Sequence, residues 1–379
     1  MSPVACTKPG PAPRSSAAGD DCTFRVSDDS RDDKWDHFLA SAPLGHHTQT
    51  SLWSQVKASR GWQATRIVVT RGKEIVAGAQ VLYRRLPLLG GIGYVPAGPV
   101  VRHADPDLTR LLLDRLLEIR RHHGLHYLAV QPPGHDQAVS SQLVTLGFQA
   151  SSVELIPGAS VLIDLTLDPA EMLSRMKRQT RQNIARGERQ GMVVREGSRD
   201  DVRTFWTLNA ATCRRQNASP FPESYFLHMW DVLEPAGCLK LFVAEYEGQA
   251  VSALWTVPFG DTVSAKALGW SGLHGDRKPN DVLFWAAINW SRTHGYRWFD
   301  FEGVNRSGAE CVLQGQPLPE SLQRTPDAFK YGFGGNVTLF QLAHEYIPNP
   351  VLRWGYRTFF AKDGNTKSLP KLFEIIRKH

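Results

Sequence analysis

Between Arg66 and Tyr83 apolar and polar residues alternate in two β-branched runs, Ile67-Val-Val and Ile75-Val-Ala, with a polar break at Arg71 to Glu74. A period of two around a short polar break predicts a hairpin. The same pattern returns at Leu241 to Val257, broken at Glu247 to Gln249. Each hairpin is followed by a segment of helical period that stops at a glycine and leads into a strand. In the first copy Asp105-Pro106 caps and starts the helix, Leu108, Leu111, Leu112, Leu116 and Ile119 form its stripe, and Gly124 precedes a strand at His126 to Val130. In the second, Asn280 or Asp281 starts the helix, and Val282, Phe284, Trp285, Ile288 and Asn289 follow. Gly295 then precedes a strand at Tyr296 to Phe301. Val76 and Val251 are 175 residues apart and the two glycines 171 apart, so one hairpin–helix–strand unit occurs twice.

This repetition predicts an α/β chain of layered α+β type. Its two tandem domains each have a mixed, mostly antiparallel sheet flanked by helices, and span residues 24–158 and 159–345. The boundary falls near Ile156-Pro-Gly-Ala159, where a strand begins at Ser160 with Val161, Ile163 and Leu165. Asp168-Pro169 then opens a basic helix over 169–190. Met172, Met176, Thr180 and Ile184 share one stripe of it, which reads as core, with Arg178, Arg181 and Gln182 off it. Residues 1–23 are rich in Pro, Ala, Ser and Gly and lack the apolar stretch of a secretion signal, which predicts a disordered tail. Residues 346–379 form a C-terminal basic segment.

Composition narrows the class. The 379 residues are 42% hydrophobic and 21% charged. No run approaches the roughly 20 apolar residues of a membrane-spanning helix, so a soluble globular protein is expected. Five scattered cysteines without C-x-x-C argue against a disulfide scaffold or a cysteine zinc site, and make a reducing cytoplasm the expected compartment. The formal net charge is +7, yet Ser174 to Gly191 and Leu352 to His379 each carry +5 and the remainder is −3. Charge concentrated in this way favours an anionic partner: nucleic acid, a phosphorylated small molecule or an anionic membrane surface. The plainer alternative is a pair of solvated helix faces.

Motif searches mostly exclude. Neither G-x-x-x-x-G-K-[ST] nor G-x-G-x-x-G after a strand is present, nor G-x-S-x-G at a strand–helix turn. The 13 histidines supply no H-E-x-x-H or similarly spaced set, so no metal is expected. The hairpin–helix–strand unit resembles half of the Gcn5-related N-acetyltransferase (GNAT) architecture. Ordinary GNAT members hold the coenzyme A pyrophosphate with [QR]-x-x-G-x-[GA] before the helix. The matching stretches here, His274-Gly-Asp-Arg-Lys-Pro-Asn-Asp281 and Val101-Arg-His-Ala-Asp-Pro106, lack the glycines that let backbone N–H groups close around it. No cofactor is expected.

A tandem GNAT-like chain without that loop resembles the Fem family (FemA, FemB, FemX) of aminoacyl-tRNA-dependent peptidyltransferases. The resemblance rests on Gln49-Thr-Ser-Leu-Trp53-Ser-Gln-Val-Lys57 with Gly61-Trp62, Tyr94-Val-Pro-Ala-Gly-Pro-Val100, Lys177-Arg-Gln-Thr-Arg-Gln-Asn-Ile184 with Gly191, Phe299-Asp-Phe-Glu-Gly303 and Phe329-Lys-Tyr-Gly-Phe-Gly-Gly335. Two departures stand out. The long helical-hairpin arm of the staphylococcal members is missing, and Gly98-Pro99 runs into Arg102-His103 where a peptidoglycan-acting member has an acidic residue.

The resemblance implies aminolysis: an acceptor amine attacks the ester joining an amino acid to tRNA. Such an ester is already activated, so a cation near the developing oxyanion and a site that holds both partners suffice. Lys330 matches the position that meets the tRNA acceptor end and stabilises the intermediate, and Phe329 stacks on or walls the terminal adenosine. Lys57 matches the lysine that contacts acceptor phosphates. Both lysines have a plainer reading as surface residues. Period-2 alternation puts Asp300 and Glu302 on one strand face, where an acid takes a proton from the amine or hydrogen-bonds a neighbouring loop. Trp53, Tyr94, Trp270 and Glu302 complete the expected substrate-binding set, and Lys177, Arg178, Arg181 and Asn183 the expected tRNA contacts. The expected partners are aminoacyl-tRNA as donor and a muropeptide or amine-bearing metabolite as acceptor, with a monomeric enzyme whose C-terminal segment folds back on the first domain. The rival readings are a coenzyme-A-dependent N-acyltransferase acting on a sugar or lipid-linked saccharide, and a non-catalytic GNAT-like protein that binds a polyanion.

Overall fold

The computed structural model describes residues 22–86, 90–134, 137–151 and 153–359. The expected tail up to residue 21 and the basic residues from Lys362 onward lie outside the described residues. In chain order the first part runs β1 (Cys22–Ser27), α1 (Asp33–Ser41), α2 (Ser51–Ala58), β2 (Gln63–Arg71), β3 (Glu74–Leu86), β4 (Gly90–Val95), β5 (Val100–Val101), α3 (Pro106–His122), β6 (Leu125–Val130), α4 (Gln137–Thr145) and β7 (Gln149–Ala150). The second part opens with β8 (Ala159–Asp164), α5 (Pro169–Arg175), α6 (Arg178–Arg189), β9 (Val193–Glu196), α7 (Asp201–Arg215) and α8 (Glu223–Leu233). It continues with β10 (Lys240–Tyr246), β11 (Gln249–Phe259), β12 (Thr262–Trp270), α9 (Pro279–Thr293), β13 (Trp298–Asp300), α10 (Arg306–Leu313), α11 (Pro326–Tyr331) and β14 (Asn336–Leu339). Last come β15 (His344–Tyr346) and α12 (Pro350–Phe359).

Both expected hairpins form, β2–β3 and β10–β11, with Gly72 (φ +61°) and Gly248 (φ +75°) supplying the left-handed backbone of their polar breaks. Both repeats also share a parallel strand pair bridged by the expected helix: β4 and β6 across α3, and β12 and β13 across α9. The Asp105 side chain accepts from the Leu108 amide at 2.9 Å, as an N-cap should. The sheet orders are β1-β2-β3-β4-β6-β15-β7, with β5 on β3, and β14-β8-β13-β12-β11-β10-β9.

The apolar stripes sort these elements into layers. Leu112, Leu116 and Ile119 of α3 and Leu143 of α4 close one face of the first sheet. Its other face shares a core with the second sheet: Leu82, Tyr94 and Tyr127 from the first, Val243 and Trp255 from the second, with Trp53, Phe205, Phe226 and Trp230 from α2, α7 and α8 between them. The far face of the second sheet lies under α5, α6, α9 and α11. Burying aromatic side chains of this size from both halves in one cluster welds the halves together, at about 25 cal/mol per Å² of apolar surface removed from water.

Three expectations change. The basic helix over 169–190 is two helices, because Met176 (ψ 149°) and Lys177 (ψ 143°) are extended; the Lys177 amide donates instead to the Gly332 carbonyl at 2.9 Å. Its methionine stripe is core as read, with Met172, Met176 and Ile184 all below 5% exposure. Leu113, rather than Leu111, joins the buried stripe of α3. Glu302 is not on a strand: β13 ends at Asp300 and Glu302 takes a left-handed conformation (φ 50°).

Candidate active site

Thr50 caps α2, its hydroxyl accepting from the Trp53 amide at 3.0 Å. Ahead of the cap, the fully buried Gln49 donates to the carbonyls of Gln80 (3.1 Å) and Pro96 (2.8 Å) and accepts from the Gln80 amide (2.7 Å). That latch fixes α2 on the sheet, and Gly98 must be glycine there, since a Cβ would sit 2.9 Å from the Gln49 carboxamide. One turn apart on α2, Trp53 and Lys57 face the second half, with Lys57 Nζ 5.4 Å from the indole centroid. Lys266 on β12 reaches the same ring from the other sheet, 5.0 Å from its centroid, and forms an ion pair with Glu302.

The turn after β13 gathers the remaining groups. Asp300 Oδ1 accepts from the Ser160 hydroxyl and from the Glu302 amide at 2.7 Å, and Ser160 Oγ accepts from the Gly303 amide at 3.1 Å. Lys330 on α11 donates from Nζ to the Gly303 carbonyl. Four charged side chains, Asp300, Glu302, Lys266 and Lys330, thus meet at residues 300–303, and the left-handed backbone of Glu302 is the strain that puts its carboxylate opposite Lys266. Glu302 Oε2 is buried and finds no hydrogen-bond partner among the described residues.

Burial dominates the electrostatics. It raises Asp300 to about 6 against the opposing pull of Ser160 and the Glu302 amide, and lowers Lys330 against the neighbouring carboxylates Asp327, Asp300 and Glu302. Lys57 falls to about 7, through burial and then the adjacent Lys266 and Arg60 charges. His46 falls to about 3 by burial, with Lys266 adding to it, so its imidazole is neutral.

Two cavities meet at this turn. The larger, about 690 Å³, is lined by Trp53, Lys57, Tyr94, Tyr225, Lys266 and Arg306 among others. The smaller, about 250 Å³, lies between the 43–47 loop and the second sheet. Glu302 and Gly303 border both.

The structure brings Lys57, Trp53, Tyr94, Glu302 and Asp300 to the two cavities, whereas Lys330 borders neither and reaches their shared turn only through the Gly303 carbonyl. Phe329 packs on Phe284 (5.3 Å) and Phe333 (5.2 Å), an aromatic support beneath Lys330. Trp270 lies elsewhere: it borders neither cavity, its ring is covered by Arg215 at 4.9 Å, and its N–H donates to Leu273. Lys177 and Arg178 are exposed. Arg181 instead donates to the Leu173 (3.2 Å) and Met176 carbonyls and closes the α5–α6 elbow, while Asn183 donates to Asp281 at 3.0 Å.

That last bond belongs to a larger feature. Helix α6 lies against the start of α9, where Gly187 approaches so closely that a Cβ would meet Val282 at 2.5 Å and the Arg277 carbonyl at 2.6 Å. The helix N-terminus that would hold a pyrophosphate is thereby covered by α6, and the buried carboxyl Asp281 occupies its first turn.

The sequence profile of the FemAB family matches residues 31–251, more than half of the chain. The chain belongs to the FemAB family. Among curated FemAB-like relatives, the lipid II:glycine glycyltransferase of Staphylococcus aureus (strain MRSA252) is 26% identical over 223 residues, covering 56% of this chain and 53% of the relative. The chain therefore spans about half the length of the curated relatives it matches. Among solved structures, FemX superposes with a TM-score of 0.76 at 20% identity, over 86% of this chain and 97% of that one. A tandem GNAT protein from the clavulanic acid biosynthesis pathway superposes with a TM-score of 0.54 at 12% identity, over 87% and 99%. These likenesses establish the tandem GNAT-like fold.

Reading the sequence missed Lys266, Ser160, Tyr225 and the His46-His47 pair. A lysine inside the apolar run Val263 to Leu268 was a visible anomaly. Ser160 carried no signal, because its bond to Asp300 joins residues 140 positions apart.

Proposed function

We propose that this FemAB protein transfers an aminoacyl group from aminoacyl-tRNA to an acceptor amine, forming an amide. The observation that carries the reading is the convergence of Asp300, Glu302 and Lys330 on the 300–303 turn, where the two cavities meet. The relatives named lipid II:glycine glycyltransferases support a peptidoglycan precursor as one acceptor class, and an amine-bearing metabolite is the other. Lys57 on α2 and Lys266 on β12, both beside Trp53, suit phosphates of the acceptor. Lys177 and Arg178 suit the tRNA backbone. In this proposal residues 24–158 and 159–345 are the two acyltransferase-like units, with β15 (His344–Tyr346) at the end of the second lending its strand to the first sheet, and the enzyme works as a monomer in the cytoplasm without a cofactor.

In the reaction the acceptor ammonium first gives a proton to a carboxylate of the turn. The neutral amine attacks the ester carbonyl, the oxyanion forms near Lys330, the bond to the ribose 3′ oxygen breaks, and a second amine proton goes to that oxygen. Lys330, whose Nζ donates to the Gly303 carbonyl behind the turn, supplies positive charge to the oxyanion from a partly desolvated position, where such groups act most strongly. Asp300, held by Ser160 and the Glu302 amide, fixes the turn.

The test is transfer of label from radiolabelled aminoacyl-tRNA mixtures, with and without RNase, and separately from acyl-CoAs, over a panel of amines. RNase-sensitive transfer supports the proposal. Turnover of acyl-CoA instead supports the N-acyltransferase reading, against which the covered start of α9 already speaks, and silence in both supports a polyanion-binding protein.

A further inference from the structure

The two cavities that meet at Glu302 differ in charge. Lys57, Lys266 and Arg306 border the larger one together with Glu154, Glu302 and Asp327, so its charges offset one another. The smaller one is bordered by Asp300, Glu302 and the exposed Asp261, and by no lysine or arginine. Its imidazoles do not offset those carboxylates, since burial keeps His46 and His47 neutral. His47 is 4% exposed, borders the cavity, and its Nε2 has no partner among the described residues. The walls away from the turn are mainly the apolar Leu162, Phe259, Trp298 and Phe340, with the hydroxyls of Thr262, Ser264 and Thr338 among them.

An aminoacyl ester carries its α-ammonium on the carbon next to the reacting carbonyl. With that carbonyl at Glu302–Gly303, the ammonium meets offsetting charges in the larger cavity and carboxylates without a lysine or arginine in the smaller, which therefore attracts it. The side chain on the same carbon then enters the smaller cavity. A cavity of about 150 Å³ accommodates benzene, so 250 Å³ has room for a side chain of roughly ten non-hydrogen atoms. Glycine leaves all of it unfilled, and an acidic side chain is opposed by Asp261 and Asp300.

We propose that the 250 Å³ cavity is the donor amino-acid pocket, and that this chain transfers a residue with a bulky apolar or aromatic side chain in preference to glycine. This rests on the transfer reading above. Thr338, on edge strand β14, borders the pocket without belonging to the charged turn, and Phe340 forms part of its wall.

The experiment measures binding of 3′-aminoacylamino-3′-deoxyadenosines (glycyl, leucyl, phenylalanyl and aspartyl) by calorimetry, and transfer from tRNAs charged singly with the same residues. Leucyl or phenylalanyl donors should exceed glycyl and aspartyl ones at least tenfold, the scale on which hydrophobic pockets discriminate. Thr338→Trp should erase that preference by lowering leucyl and phenylalanyl transfer at least tenfold more than glycyl transfer. Phe340→Ala should widen it toward larger residues, and provides the test if Thr338→Trp fails to fold. Glycyl transfer as good as leucyl, or a Thr338→Trp loss equal for all donors, overturns the pocket and leaves the transfer reading standing. Absence of transfer from any charged tRNA overturns both.

Discussion

The lowered Lys57 ammonium makes a sharp prediction about pH. Burial beside Trp53, with the Lys266 and Arg60 charges close by, brings it from its ordinary 10.5 to about 7. Below pH 7 it is cationic and able to hold an anion. Each unit above 7 removes the proton from most unliganded molecules, so affinity for an anion at Lys57 should fall toward tenfold, or about 1.4 kcal/mol, per unit. A suitable ligand is a nucleotide-sugar diphosphate, whose diester phosphates do not titrate between pH 6 and 9. Calorimetry in two buffers of different ionisation enthalpy should show a flat Kd below 7, a rise above it, and uptake of close to one proton per ligand at pH 8. Lys57→Arg should bind without the break, and Lys57→Met should bind weakly throughout. Stability must follow with the opposite sign. Between about 7 and 10.5 the unfolded chain holds a proton that the folded chain lacks, so stability rises with pH, and Lys57→Met should abolish that rise. A Kd constant from pH 7 to 9, or the same break in Lys57→Arg, would refute the account.

Lys330→Ala should lower kcat by roughly 10²–10³-fold with a smaller change in KM, the scale of losing an oxyanion-stabilising group, and a change within a few-fold removes Lys330 from the chemistry. Asp300 is raised to about 6 against an unfolded value of 3.8, so the folded state holds the proton more tightly and stability falls as pH rises through that window. Asp300→Asn keeps an acceptor for Ser160 and should flatten the fall in thermal scans from pH 4 to 7, while slowing transfer if the turn is displaced. Lys177→Ala and Arg178→Ala should each reduce the salt slope of tRNA binding by about 0.7–0.9 with unchanged melting temperature. Arg181→Ala should instead lower the melting temperature, because its guanidinium closes the α5–α6 elbow.

The duplicated hairpins and bridging helices were legible because periodicity, capping residues and terminating glycines are local signals: Asp105, Gly124 and Gly295 each do what their chemistry requires. The lysines at 57 and 330 were legible only beside motif neighbours. What local reading cannot supply is which distant groups saturate a side chain. Arg181 carries the same charge as Arg178, and Asn183 is polar on the same helix, yet their partners are Leu173, Met176 and Asp281. Trp270 reads as a binding aromatic until Arg215 is found covering it. The error at Glu302 has the same origin: alternation assumes that a strand continues, and this one stops two residues earlier to make the turn on which the site is built.

Strand β15 (His344–Tyr346) sits between β6 and β7, supplied from beyond the whole second sheet. The consequence concerns biosynthesis. A ribosome that has released the first 158 residues has delivered a sheet with a missing rung, its β6 edge bare until nearly 190 further residues have emerged. The first half is thus the last to be completed, and a fragment ending at the midpoint would expose an adhesive edge instead of folding as a module.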